Sequence, residues 1–241
     1  MICSFLQNGD SAVTVQFKNE ISKEINAQVT SLCQKIESEH INGVIELVPT
    51  FASLTVFYDC TVISSIKLEK KIKKLLKNDL NSKEKTVKVW EIPVSYDDEF
   101  ALDMDNVCNH TGLSRDEVIE LHTAKPYLIY MLGFLPGFAY LGGMDERLFT
   151  PRLKTPRLEI FEGAVGIGGE QTGIYPIASP GGWQLIGKTP VKVFDRSKSS
   201  PILYQAGDYI QFYSVSKEEY LDIERQVQNG SYTPVSKEVK L

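Results

Sequence analysis

Residues 13–36, VTVQFKNEISKEINAQVTSLCQKI, change their hydrophobic period part-way, and that change sets the fold class. From Val13 to Lys18 apolar and polar side chains alternate, the signature of a strand with one buried face. From Ile21 onward the apolar residues return at three- and four-residue steps, through Ile25, Val29, Leu32, Cys33 and Ile36, which is the stripe of an amphipathic helix. Asn42-Gly43 supplies a stop, so a helix is expected over residues 20–40. The pattern repeats downstream. Ile45 and Leu47 return to a strand, Leu54, Val56 and Tyr58 alternate with Ser53 and Thr55, and Leu68, Ile72, Leu75 and Leu76 face inward from a helix over about Ser65 to Leu80. Strand, strand, helix, strand, strand, helix describes a small α+β sandwich.

The polar run Asn78 to Thr86 (NDLNSKEKT) reads as a linker, which divides the chain into an N-terminal domain, 1–84, and a C-terminal domain, 85–228. After a strand around Trp90 to Val94 come two short helices. The second opens on a capping box, Ser114 with Glu117, and a hydrophobic staple, Leu113 with Val118, and runs to about Thr123. Leu128 to Leu132 reads as a buried strand. Between Gly133 and Pro190 lie 12 of the 17 glycines and 6 of the 11 prolines, so backbone geometry is specialised there. Val191 to Phe194, Ile202 to Tyr204 and Tyr209 to Tyr213 are expected as short strands, giving a mainly β domain with barrel-like spacing. A second capping box, Ser216 with Glu219, opens a last helix, and residues 229–241 read as a loose tail.

Composition narrows the function. Lys and Arg number 26 against 31 Asp and Glu, a net charge of −5, so no broad cationic field exists for nucleic acid. No window reaches the roughly 18 apolar residues of a membrane span, and the N-terminus lacks the features of a secretory signal, so a cytoplasmic protein is expected. Cys3, Cys33, Cys60 and Cys108 include no C-x-x-C pair and are expected as reduced thiols. With His40, His110 and His122 they form no chelate spacing, so no metal site is assigned.

Four motifs could carry chemistry. Gly182 to Thr189 (GWQLIGKT) matches a phosphate loop letter for letter, but its variable positions alternate like a strand and Pro190 leads into further extension, where a phosphate loop needs a helix. Thr150-Pro151-Arg152 and Thr155-Pro156-Arg157 set two guanidiniums five residues apart on proline-stiffened backbone, suited to clamping a carboxylate; a surface turn pairing with Asp145, Glu146 or Glu159 reads the same residues equally well. Gly166 to Gly173 (GIGGEQTG) places Glu170, Gln171 and Thr172 between glycines, offering a carboxylate, an amide and a hydroxyl, as an amide-binding edge or as a glycine-rich β-turn. His122 sits one turn after Val118, beside the apolar face of its helix and near its C-terminus, either as a packed residue or as a ligand contact.

Gly133 to Gly143 (GFLPGFAYLGG), the doubled T-P-R, Gly168 to Gly173 (GGEQTG) and Ser179 to Gly187 (SPGGWQLIG) together resemble the family of the 5-oxoprolinase B subunit. That group includes the histidine kinase inhibitor KipI and is also labelled allophanate hydrolase subunit 1. Phe51 to Tyr58 and Leu113 to His122 extend the resemblance over nearly the whole chain. It implies a ferredoxin-like N-terminal domain, a cyclophilin-like β-barrel C-terminal domain, and a hetero-oligomer with the C and A subunits of 5-oxoprolinase that opens 5-oxoproline to L-glutamate with ATP. A five-membered lactam is a poor electrophile, so phosphorylating its amide oxygen with ATP and Mg2+ would create a leaving group. Both cofactors are expected at the level of the complex, none tightly bound here, and this component inactive alone. On this reading Arg152 or Arg157 clamps the carboxylate of a small anionic lactam, Gln171 and Thr172 address the lactam, and His122 and Trp183 complete the substrate-binding set. The resemblance also admits a KipI-like inhibitor of a sensor histidine kinase, acting by binding alone. It further admits a component of a urea carboxylase or allophanate hydrolase-type complex, although the chain has no Met-Lys-Met biotin segment.

Overall fold

A computed structural model describes residues 3–20, 22–77 and 86–240. The chain forms two compact units, Met1–Lys85 and Thr86–Leu241. Residues 78–85 of the expected Asn78 to Thr86 linker and the stripe residue Ile21 lie outside the described residues, and Thr86 opens the first strand of the second unit.

In unit 1, strands β1 (Ser4–Asn8), β2 (Ala12–Gln16), β3 (Val44–Pro49) and β4 (Ser53–Tyr58) form an antiparallel sheet in the order β1-β2-β4-β3, joined by helices α1 (Lys23–Ser38) and α2 (Ser65–Lys77). The Ser22 side chain caps α1 by accepting the Ile25 N–H. Val29, Leu32 and Ile36 of α1 and Leu68, Ile72 and Leu75 of α2 bury against Val13, Val15, Leu54, Val56 and Tyr58, each worth about 1.5–3 kcal/mol of transfer free energy. Gly43, at φ +95°, stands where a Cβ would meet Ile63 Cγ2 at 2.7 Å, so the turn after α1 needs glycine.

Unit 2 holds β5 (Thr86–Val94), α3 (Met104–Thr111), α4 (Arg115–Thr123), β6 (Tyr127–Leu132), β7 (Ala139–Gly142), β8 (Arg157–Ile160), β9 (Ala164–Gly168), β10 (Gln171–Ile174), β11 (Ser179–Gly181), β12 (Gln184–Lys188), β13 (Tyr209–Ser214), α5 (Lys217–Gln228) and β14 (Val235–Lys240). Eight strands run in the order β12-β9-β10-β7-β6-β13-β5-β14, and β8 pairs with β11 separately. Both capping boxes form as the sequence predicts, at Ser114 with Glu117 and at Ser216 with Glu219.

The α+β class stands, with three corrections in unit 2. Its strands do not close into a barrel: β5 is flanked by β13 and β14, and the seam towards β12 is bridged only at Ser95–Lys188 among the described residues. Val191 to Phe194 and Ile202 to Tyr204 make no strands, because the turn-forming run from Asp195 to Pro201 leaves room for one bridge, Phe194–Ile202. The expected tail supplies β14, which pairs antiparallel with β5 from Val235–Glu91 to Lys240–Thr86. All six of its residues are exposed, so it carries no apolar alternation to betray it.

The phosphate-loop match is a strand, β12, as its alternation predicts. Its lysine is already engaged. Lys188 Nζ lies 5.3 Å from the Phe100 ring centroid, 5.5 Å from Tyr220 and 5.6 Å from Phe161, with Glu224 Oε1 at 3.8 Å.

Candidate functional site

The glycines of the β9–β10 hairpin make room for one ring. A Cβ at Gly168 would stand 2.4 Å from Trp183 Nε1, one at Gly173 would stand 3.1 Å from its Cζ3, and one at Gly166 would stand 3.3 Å from its Cβ. The Trp183 indole therefore packs directly on bare backbone, 4% exposed, with Phe138 edge-on at 5.4 Å and Tyr175 at 6.2 Å. Gln171 is the cross-strand partner of Gly168, and cross-strand partners share a face, so its side chain leaves the hairpin on the indole's side. Its Nε2 is buried without a hydrogen-bond partner among the described residues.

The first T-P-R is brought to this hairpin by the Thr150–Gly169 bridge. It is tied to the start of β12 by Gln184 Nε2 donating to Pro151 O (2.8 Å) and Leu153 N donating to Gly182 O (2.7 Å). These bonds hold Arg152 with its guanidinium carbon 5.7 Å from the Trp183 centroid, exposed and without an ion pair among the described residues. Asp145, one of the expected partners, is instead held by Arg147, whose side-chain hydrogen bonds pull its pKa down to about 2.

Arg157 is placed differently. Its Nη2 donates to Asp103 Oδ1 at 2.7 Å, while its Nη1 is buried without a partner among the described residues. Asp103 is 3% exposed and also accepts the Leu185 N–H at 2.7 Å through Oδ2. Asp103 precedes α3, where sequence reasoning would assign an N-cap, yet its side chain caps nothing and serves β12 and Arg157 instead. A buried donor left unmatched costs about 1–3 kcal/mol, so Arg157 Nη1 and Gln171 Nε2 leave this region short of acceptors.

His122 and Thr172 belong to the core of unit 2, not to a ligand-facing surface. Both are fully buried. Thr172 Oγ1 donates to Gly166 O (3.0 Å), so it accepts from His122 Nε2 (2.8 Å), and His122 Nδ1 accepts from the Tyr96 hydroxyl (2.7 Å). The imidazole stacks on Phe212 at 4.7 Å, and burial pushes its pKa down to about 3. The structure thus groups Arg152, Gln171 and Trp183, sets Arg157 beside them on Asp103, and removes His122 and Thr172. Sequence reasoning missed Asp103 and Tyr175, since nothing local marks either.

Likeness to known proteins bears on this geometry. The carboxyltransferase domain, subdomain C and D, matches residues 3–204. The B subunit of the Bacillus subtilis (strain 168) 5-oxoprolinase is 42% identical over 226 residues, covering 89% of this chain and 93% of that protein. The urea amidolyase of Saccharomyces cerevisiae is 25% identical over 95% of this chain, which spans only 14% of that protein. Among solved structures, TTHA0988 superposes with a TM-score of 0.75 at 33% identity over 85% of this chain, which spans 40% of that longer chain.

Proposed function

We propose that this chain, which belongs to the family of the 5-oxoprolinase B subunit, is the B component of a cytoplasmic ATP-dependent 5-oxoprolinase, working with the C and A components. The observation that carries the reading is the near full-length match to a protein of that name, 93% of which is covered. The site's chemistry agrees with it. Arg152, free and stacked on Trp183, receives the carboxylate of 5-oxoproline, and Gln171 beside it donates to the lactam oxygen.

ATP and Mg2+ belong to the complex and are not held by the formal phosphate-loop lysine, Lys188, which is enclosed by three rings and Glu224. The same reading casts unit 1 as a ferredoxin-like sandwich and unit 2 as a cyclophilin-like fold open along one seam. What supports it is the helix-backed four-stranded sheet and the Ser95–Lys188 bridge.

The test is reconstitution. The chain mixed with its C and A counterparts should hydrolyse ATP in response to 5-oxoproline, and Arg152→Ala should raise the KM for 5-oxoproline by about tenfold or more, the loss of a charge-assisted pair. Absence of turnover in the complete wild-type mixture overturns the assignment.

A further inference from the structure

Tyr175 meets the Trp183 ring edge-on. Its own ring is 2% exposed and packs edge-on against Phe138 at 5.4 Å. Its hydroxyl rests on Gly181, where a Cβ would come within 2.5 Å of the oxygen, so that glycine is what lets the phenol reach its position. Gly181 is in turn the cross-strand partner of Arg157, which sets the hydroxyl beside the strand position carrying that arginine. Arg157 Nη1 has no acceptor among the described residues, and the Tyr175 hydroxyl oxygen accepts from the Trp183 backbone N–H.

The electrostatics agree with this placement. Burial raises the phenol's pKa, while the Trp183 backbone N–H and the charges of Arg152 and Arg157 pull it the other way. At neutral pH the group is an O–H donor set among cations. Asp103 neutralises Arg157, which leaves the Arg152 charge unbalanced. A region offering donors and one net positive charge suits a monoanionic carboxylate better than a dianionic phosphate.

Resting on the 5-oxoprolinase reading, we infer that the Tyr175 hydroxyl is a substrate-binding group, donating a hydrogen bond to the ligand's carboxylate while Arg152 supplies the charge. Tyr175 then selects for the carboxylate-bearing lactam over the same ring without it.

The experiment uses the reconstituted wild-type and Tyr175→Phe complexes, with 5-oxoproline as substrate and pyrrolidin-2-one, which lacks the carboxylate, as competitor. Tyr175→Phe should raise the KM for 5-oxoproline about tenfold, more than it lowers kcat, and leave inhibition by pyrrolidin-2-one unchanged. Gly181→Ala, which displaces the hydroxyl, should act in the same direction, and melting of the Tyr175→Phe chain reports that it is folded. Turnover with an unchanged KM in a folded Tyr175→Phe complex overturns this inference alone. An equal loss for both ligands also overturns it, since the phenol would then act on the lactam ring and not on the carboxylate. No turnover in the wild-type mixture overturns the functional reading, and this inference falls with it.

Discussion

His122 shows how a position along the chain can leave a residue's chemistry open until its burial is known. Its position one turn after Val118 and near a helix C-terminus suggests that the dipole favours the imidazolium. Full burial between Tyr96, Thr172 and Phe212 decides the opposite, because desolvating a cation there outweighs a helix-end field of at most about 2 kcal/mol. The sign for stability follows from the depressed pKa. Between the ordinary histidine value near 6.5 and about 3 the unfolded chain binds a proton that the folded chain refuses, so stability is full above pH 6.5 and falls as the pH drops through that window. The limiting slope is about 1.4 kcal/mol per pH unit. Denaturant midpoints measured from pH 7 to pH 4.5 should decline for the wild type and decline less for His122→Gln. Parallel curves would mean that the imidazole is protonated in place. Arg157 teaches a related lesson. Its residue type announced a carboxylate partner, but that carboxylate is Asp103, 54 residues away in sequence, and only folding brings the two together.

Elements were legible where their signal is local. Both capping boxes, the α1 stripe and the β12 alternation depend on residues within one turn or one strand, and each forms. Even the glycine belt was visible as a place of unusual backbone. Its cause was not, because the ring that requires Gly166, Gly168 and Gly173 arrives from Trp183, beyond the hairpin. β14 was illegible for a different reason: a strand with every side chain exposed has no apolar face to produce a period. It nevertheless covers one edge of β5, sets Val239 opposite the buried Val87, and pairs Lys237 with Glu91. Deleting residues 229–241 should therefore lower the melting temperature by about 2–6 °C and speed aggregation through the bared β5 edge. An unchanged melting temperature with no added aggregation would show that β14 pairing contributes nothing.

At the scale of the molecule, what the site lacks is as informative as what it holds. Arg152, Arg157, Gln171 and Tyr175 around Trp183 all offer hydrogen-bond donors. Asp103 is already engaged by Arg157 and the Leu185 N–H, and the imidazole of His122 is sealed in the core, so neither is free to move a proton to or from a bound lactam. Donors such as these can orient a substrate without transforming it. The full chain alone should accordingly bind 5-oxoproline, seen as quenching or shifting of Trp183 fluorescence on titration, while leaving ATP intact over hours. Turnover should begin only when the C and A components are added. ATP hydrolysis by the isolated chain in response to 5-oxoproline would show that a catalytic group lies elsewhere on it, and the division between binding here and chemistry on the partners would have to be abandoned.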